Sequence, residues 1–206
     1  FGGRKVVVRT LDAGADKPLA FADLGEEENP ALGVRGLRLQ RVREDLLDAQ
    51  LTAIANAAAA TGAQAWVMAP MVATAEEAKW FTAKCRAAGL PTAGTMVEVP
   101  AAALRSKHVM AECDFASIGT NDLSQYTFAA DRMNGALAGL LTGWQPALWE
   151  LIVATVEGAG GKPVGICGEV GGDPLLALVA TGAGITSLSM ATVMPSLSAS
   201  RPRAAS

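Results

Sequence analysis

The sequence predicts an α/β fold in which parallel strands alternate with helices. Short apolar runs alternate with longer segments of helical character, and Pro100, Pro146 and Pro174 each stand where a helix would begin. Half of the residues are hydrophobic and only 5% are aromatic, a composition typical of a parallel sheet with closely packed helices. The length of 206 residues predicts one domain, or at most two small ones.

Six strands and five helices can be placed along the chain. The strands are predicted at Lys5–Thr10, Trp66–Ala69, Gly94–Glu98, Asp114–Ile118, Val164–Cys167 and Thr186–Ser189. The helices are predicted at Val42–Ala60, Ala75–Ala88, Pro100–Ala111, Pro146–Gly158 and Pro174–Thr181. The segment Gly33–Arg38 fits either a seventh short strand or a helical turn.

Two architectures fit repeated βα units with right-handed crossovers. One is an open doubly wound sheet, and the other is a (β/α)8 barrel of the TIM type that is incomplete, since a closed barrel needs eight strands. Polar residues follow almost every predicted strand, whereas an open sheet would concentrate them at one switch point. This distribution favours the incomplete barrel.

Composition excludes several classes of function. The net charge is -3 and there is no basic block, which argues against binding to nucleic acid or to an anionic membrane. The three cysteines are widely spaced, which fits a reducing cytoplasm better than a disulfide framework. The segment from Pro174 to Ser200 carries no charge, but Gly182 and Gly184 interrupt it, so we expect a buried helix and strand rather than a membrane span.

Four strand ends carry the candidate site. The stretch Ser117–Tyr126 (SIGTNDLSQY) turns from an apolar strand into a polar cluster that contains Asn121 and Asp122. Arg9, Glu98 and Cys167 stand at the ends of three other predicted strands. Because parallel strands present their carboxyl ends at one edge, we expect these side chains to converge.

The residue types indicate two kinds of chemistry. Glu98 and Asp122 could hold Mg²⁺, which is commonly bound by one or two carboxylates, although each could instead cap a helix or pair with an arginine. Planar, positively charged guanidinium groups that bind a phosphate or a carboxylate could come from Arg9, Arg35, Arg38 and Arg132. Lys17 could add a further positive charge. Of these, Arg9 is the least typical of a solvated surface arginine, because it directly follows an apolar strand.

Cys167 could be a buried cysteine without a chemical role, or it could be a proton donor. Nearby carboxylates would keep its thiol protonated, which favours an acid over a nucleophile. Cys85 and Cys113 lie in or beside helices and are predicted to be structural. His108, the only histidine, is predicted to be structural or exposed, so no Ser-His-Asp triad is expected.

Together these motifs resemble the phosphoenolpyruvate-binding barrel of Enzyme I of the bacterial sugar phosphotransferase system. The matching segments, in the order of that family, are Arg9–Lys17, Glu28–Arg38, Met96–Ala101, Ser117–Tyr126, Asp131–Arg132 and Gly165–Glu169. Pyruvate phosphate dikinase and phosphoenolpyruvate synthase are weaker matches with the same barrel chemistry.

The resemblance implies a role for each matching residue. Arg9 and Arg132 would grip the phosphate and carboxylate of phosphoenolpyruvate, and Lys17, Arg35 and Asn121 would complete the pocket. Glu98 and Asp122 would hold Mg²⁺. Cys167 would donate the proton that converts the enolate to pyruvate.

The resemblance also implies partners, and the chain departs from the family in extent. The upstream histidine domain and the helical domain that docks the carrier protein HPr are not in this sequence, and neither is the family's first barrel strand. We therefore expect a cytoplasmic, homodimeric barrel domain over residues 1–195, a poorly ordered tail over 196–206, and no full turnover by this chain alone. The gap in the barrel would leave the sheet open or be filled by another chain, or the sequence is a fragment.

Two rival functions remain open on the sequence. The chain could be an inactive binding or dimerisation module, or it could be another enolate-handling barrel such as a pyruvate-releasing lyase or an aldolase. The second rival would use the acidic pair and the arginines without requiring Cys167.

Overall fold

The computed structural model describes residues 1–15, 19–22 and 25–190. They form one six-stranded sheet in the order β1-β2-β3-β4-β5-β6, with every neighbouring pair parallel. The strands are β1 (Lys5–Arg9), β2 (Gln64–Ala69), β3 (Thr92–Val97), β4 (Phe115–Gly119), β5 (Val164–Cys167) and β6 (Ser187–Ser189).

Helices connect the strands and cover one face of the sheet. They are α1 (Leu37–Val42), α2 (Glu44–Thr61), α3 (Ala75–Ala87), α4 (Pro100–Leu104), α5 (Ser106–Ala111), α6 (Thr120–Thr127), α7 (Pro146–Gly158) and α8 (Pro174–Gly182). Three short 3-10 helices lie at Pro30–Leu32, Gly135–Leu140 and Glu169–Gly172. No helix in the described part of the chain is long and apolar enough to span a membrane.

The strand order decides between the two predicted architectures. Each strand pairs with the next one along the chain, so the described sheet has no switch point at which the order reverses. This is the arrangement of a TIM-type barrel, and the prediction of an incomplete barrel is confirmed. Among the described residues β1 pairs only with β2 and β6 only with β5, so the six strands form a half-barrel.

Three details of the prediction were wrong. Of the two alternatives for Gly33–Arg38, the seventh strand was wrong, because Gly36 caps α1, which begins at Leu37. The helix predicted at Pro100–Ala111 is two helices that meet at Arg105. Helix α6 was not predicted, because Thr, Asn and Asp are poor helix formers.

The core has two layers. The larger lies between the sheet and its helices and includes fully buried Phe81 on α3 and Leu148 on α7. A smaller cluster on the opposite, concave face is built from Met68, Met96 and Phe115, with Trp66 and Cys167 packed against it. The concave cluster places Cys167 at the site end of the barrel interior.

Candidate active site

The predicted site residues of four strands meet at the carboxyl edge of the sheet. Arg9 ends β1 and Cys167 ends β5, while Glu98 directly follows β3 and Asp122 lies in the first turn of α6 after β4. Gly119 at the end of β4 pairs with Cys167 and lies against the Glu98 carboxylate. The charges of Glu98, Arg9 and Asp122 all act on the pKa of the Cys167 thiol. The predicted convergence of these four residues is therefore present.

Arg35 is the most deeply held cation of the site, with its side chain only 1% exposed. Its Nε donates to Asp12 Oδ1 at 3.2 Å and its Nη2 donates to Asp12 Oδ2 at 2.8 Å. Its Nη1 donates to Asp122 Oδ1 and to the Tyr126 hydroxyl, both at 3.2 Å. Although burial disfavours its charge, the hydrogen bonds and the charge of Asp12 keep the pKa of Arg35 above its usual value.

Asp122 lies between two arginines. Besides the bond from Arg35, its Oδ2 is 3.8 Å from Nη1 of Arg132. Arg35 is buried, but the Arg132 side chain is 33% exposed and reaches the surface. A ligand can therefore reach Arg132 directly, whereas Arg35 contacts the site through Asp122.

Glu98 is a buried carboxylate with an unusually high proton affinity. It is 1% exposed, and its Oε1 accepts a hydrogen bond from the backbone N–H of Met71 at 2.7 Å. Burial raises the pKa of Glu98 to about 7, and the negative charge of Asp122 acts in the same direction. Two adjacent carboxylates that repel each other fit a divalent cation, which would remove this repulsion.

Glu98 and Asp122 form the acidic pair of the site. The described residues contain no cluster of three or more His, Cys, Asp or Glu side chains that could hold a metal ion. Mg²⁺ is often bound by one or two carboxylates and completes its shell with water and substrate oxygens. The donor set fits Mg²⁺ better than a metal held in an all-protein cage.

Two glycines make room for the site. A Cβ at Gly119 would lie 2.6 Å from Glu98 Oε2, so the end of β4 can approach the carboxylate only without a side chain. Gly168 has φ +101°, and a Cβ there would lie 2.7 Å from Asn121 Oδ1. The Asn121 oxygen accepts a hydrogen bond from the N–H of Glu169, which joins the turns that follow β4 and β5.

Cys167 carries a neutral thiol. Burial raises its pKa, a hydrogen bond from Ser117 opposes this, and the charge of Glu98 raises the pKa further. Its Sγ lies 3.5 Å from the carbonyl oxygen of Ile118. The protonated form is the one that can donate a proton, and the role of Cys167 as a proton donor stays a prediction.

The other two cysteines lie in the main core, as predicted. Burial raises the pKa of Cys85 to about 12 and that of Cys113 to about 11. His108 is exposed on α5 and its Nε2 lies 3.3 Å from Arg105 Nη2, which confirms that it is a surface residue. Lys17 and the predicted tail at 196–206 lie outside the described residues.

An open cavity is linked to Asp122 through Arg132, which lines the cavity and whose Nη1 lies 3.8 Å from Asp122 Oδ2. Its volume is about 470 Å³, and Asn121, Arg132, Trp144 and Glu169 are among its lining residues. Arg9 does not line this cavity; its side chain is 40% exposed and its Nη1 lies 3.4 Å from Asp12 Oδ2. Both exposed arginines therefore have donors that can reach an anionic ligand.

Three residues of this network were not predicted as site residues from the sequence. Asp12 lies within the matching segment Arg9–Lys17, and its position three residues after Arg9 was the available signal. Tyr126 was quoted only as part of a motif, although its hydroxyl bonds Arg35 and the carbonyl of Ala31. Met71 had no sequence signal, since its role rests on its backbone N–H.

Comparisons with known proteins identify the family of the chain. The family model described as "PEP-utilising enzyme, PEP-binding domain" (PEP, phosphoenolpyruvate) matches residues 1–203. A phosphoenolpyruvate-protein phosphotransferase of Streptomyces coelicolor is 57% identical over 189 residues, covering 90% of this chain and 34% of that protein. The corresponding protein of Haloferax volcanii is 45% identical, covering 94% of this chain and 37% of that protein.

Further comparisons extend the match. A multiphosphoryl transfer protein of Xanthomonas campestris is 43% identical over 91% of this chain and 23% of its own length. Among solved structures, an HpcH/HpaI aldolase from Desulfitobacterium hafniense has a TM-score of 0.52 at 13% identity, covering 90% of this chain and 76% of that chain, which shows the fold alone. The chain spans about a third of the length of the first two curated relatives. On the family match and these identities, the chain belongs to the PEP-utilising enzymes and carries their PEP-binding domain.

Proposed function

We propose that this chain binds phosphoenolpyruvate and Mg²⁺ as the catalytic part of a phosphoenolpyruvate-protein phosphotransferase. The observation that carries the proposal is the acidic pair Glu98 and Asp122, flanked by Arg9 and Arg132 and facing the neutral thiol of Cys167. Anion-binding, metal-binding and proton-donating groups thus share one strand edge. The names of the relatives supply the reaction class.

Glu98 and Asp122 would hold the metal ion. The ion would neutralise negative charge on the phosphoryl group and on the enolate oxygen. Asp122 already has one oxygen within 3.2 Å of Arg35, which fixes the orientation of its carboxylate. Burial is the main cause of the raised pKa of Glu98, and the negative charge of Asp122 adds to it; this added repulsion supports the assignment, because a cation would relieve it.

The exposed arginines would bind the substrate anion. Arg9 and Arg132 would contact the phosphate and carboxylate, with Asn121 beside Arg132 in the cavity and Lys17 as a further predicted contact. Arg35 would line the pocket from behind Asp122. Positioned positive charge is the main requirement of phosphoryl transfer, which needs alignment and charge stabilisation rather than covalent help.

The reaction would divide into two balanced events. A histidine nitrogen of the acceptor attacks phosphorus, the bond from phosphorus to the enol oxygen breaks, and its electron pair remains on that oxygen. The enolate then takes the proton of the Cys167 thiol at its methylene carbon, which gives pyruvate and a thiolate. Water returns a proton to the thiolate.

The wider context follows from the family resemblance. The acceptor histidine would lie in another domain, and the carrier HPr would be phosphorylated through it. We propose that the chain acts in the cytoplasm as part of a homodimer, at the first step of sugar phosphotransfer.

A half-reaction tests the proposal without the phosphoryl acceptor. Removal of a methyl proton from pyruvate is the reverse of enolate protonation, so the chain with Mg²⁺ should exchange those protons with deuterium in D₂O, as followed by ¹H NMR. Cys167→Ala should abolish the exchange and leave Mg²⁺-dependent binding of phosphoenolpyruvate intact by calorimetry. Cys113→Ala removes a thiol from the core and serves as the control that keeps the exchange.

The outcomes separate the rival functions. Absence of Mg²⁺-dependent phosphoenolpyruvate binding by the wild-type chain would support an inactive module and refute the proposal. Exchange that persists at full rate in Cys167→Ala would point to another enolate-handling enzyme.

A further inference from the structure

The hydroxyl of Tyr126 joins two parts of the chain that are distant in sequence. Tyr126 lies on α6, one helical turn after Asp122. Its hydroxyl donates a hydrogen bond to the carbonyl oxygen of Ala31 and accepts one from Arg35 Nη1 at 3.2 Å. The loop that delivers Arg35 is therefore tied to the helix that delivers Asp122.

The contacts of Arg35 show why this hydroxyl matters. Asp12 occupies the Nε and Nη2 side of the guanidinium group. On the Nη1 side, the acceptors among the described residues include Asp122 Oδ1 and the Tyr126 hydroxyl, both at 3.2 Å. Arg35 is 1% exposed, so water cannot readily replace an acceptor that is lost.

We propose that Tyr126 is a positioning residue that holds Arg35 Nη1 against Asp122 and so sets the orientation of that carboxylate for Mg²⁺. The inference deepens the proposed function and rests on it for the metal-binding role of Asp122. Tyr126 contacts no reacting atom in this scheme. It acts through Arg35.

The loop that carries Arg35 is held by other hydrogen bonds, so loss of the Tyr126 hydroxyl does not release it. Both oxygens of Glu27 accept a hydrogen bond from Val34 N–H, at 2.9 and 3.2 Å. Arg38 Nη1 donates to the carbonyls of Leu32 and Gly33 at 2.8 and 3.0 Å. The effect of removing the Tyr126 hydroxyl should therefore appear at Asp122 rather than as unfolding of the loop.

The matched pair of variants is Tyr126→Phe and Glu27→Ala. Tyr126→Phe removes the hydroxyl beside Arg35 and keeps the ring, whereas Glu27→Ala removes an anchor of the same loop that does not touch Arg35. By calorimetry we expect Tyr126→Phe to weaken Mg²⁺ binding about tenfold, the effect of losing one hydrogen bond to a charged group. Glu27→Ala should leave Mg²⁺ affinity within about twofold.

A spectroscopic signal reports on the same contact. Tyr126 is the only tyrosine of the chain, so incorporation of 3-fluorotyrosine gives a single ¹⁹F resonance. Mg²⁺ should shift this resonance in the wild-type chain, because Asp122 and Tyr126 share Arg35 Nη1. A tyrosine with a merely structural role would show no shift on Mg²⁺ addition.

Each outcome decides one question. If the wild-type chain binds neither Mg²⁺ nor phosphoenolpyruvate, the proposed function fails and this inference fails with it. If the wild type binds both, then unchanged Mg²⁺ affinity in Tyr126→Phe, equal losses in both variants, or an unmoved ¹⁹F resonance overturns the inference alone.

Discussion

The backbone N–H of Met71 donates a 2.7 Å hydrogen bond to Oε1 of Glu98. Met71 adopts φ 58°, a left-handed conformation that non-glycine residues rarely take. The N–H that holds the Glu98 carboxylate therefore belongs to a residue, Met71, whose backbone is strained. Such strain is found where the surrounding structure holds a functional group in place.

Glu98 should make the stability of the chain depend on pH. Its pKa is about 7 in the folded chain and near 4.5 ordinarily, so the folded state binds the proton more tightly. Stability should therefore fall as pH rises from about 4.5 to about 7, by up to about 3 kcal/mol. Urea unfolding at a series of pH values should show this slope in the wild type and a flatter profile in Glu98→Gln.

The control for this titration is Glu150→Gln, which changes an exposed glutamate of α7 and should keep the wild-type slope. Saturating Mg²⁺ should also reduce the slope, because the cation favours the ionised carboxylate. Identical profiles for Glu98→Gln and the wild type would contradict the raised pKa.

Two Arg–Asp pairs of the same geometry should differ sharply in their importance. Arg35 contacts Asp12 through Nε and Nη2, and Arg43 contacts Asp45 through the same two atoms, at 2.9 and 2.8 Å. The first pair is buried and the second is exposed. Asp12→Asn should cost about 3–5 kcal/mol, because it leaves a buried charge with weaker partners.

Asp45→Asn is the matched control and should leave the melting temperature unchanged, since water solvates both partners. Thermal unfolding of the two variants measures the difference. Similar melting temperatures for the two variants would show that burial of the Arg35–Asp12 pair does not increase its contribution to stability.

The strand positions were predictable because each strand is a short apolar run that ends at a polar residue. Val164–Cys167 and Pro146–Gly158 have the predicted bounds, and the other strand bounds differ by one or two residues. The choice between barrel and open sheet depends on strand order, which local patterns do not determine. In the sequence, only the occurrence of polar residues after almost every predicted strand favoured the barrel.

The site was predictable only where a residue directly follows a strand. Arg9, Glu98 and Cys167 met this condition and lie at the expected edge. The pairing of Asp12 with Arg35 joins two loops 23 residues apart, so it depends on tertiary packing. The contribution of Met71 is a backbone group, and sequence patterns carry no information about its direction.

Gly119 should tolerate no side chain. Its φ of -84° is accessible to alanine, so backbone strain is not the obstacle. The added Cβ would lie 2.6 Å from Glu98 Oε2 and 3.0 Å from Glu98 Cβ, which would displace the carboxylate. Gly119→Ala should reduce Mg²⁺ affinity at least tenfold by calorimetry, whereas Gly135→Ala, where a Cβ meets nothing within 4 Å, should leave it unchanged. Equal affinities in the two variants would rule out this steric role.

Asn121→Asp tests whether the site selects an anion by charge. The Asn121 oxygen accepts the Glu169 N–H at 3.1 Å, and an aspartate can keep that bond while it adds a negative charge beside Arg132 and Asp122. Because like charges repel across a partly buried cavity, phosphoenolpyruvate should bind about tenfold more weakly. Mg²⁺ affinity should not fall, since the added charge attracts a cation. Calorimetry with phosphoenolpyruvate and with Mg²⁺ in separate titrations distinguishes the two effects. Loss of both affinities to the same extent would indicate that the substitution disrupts the Asn121–Glu169 contact and does not act through the charge of the pocket.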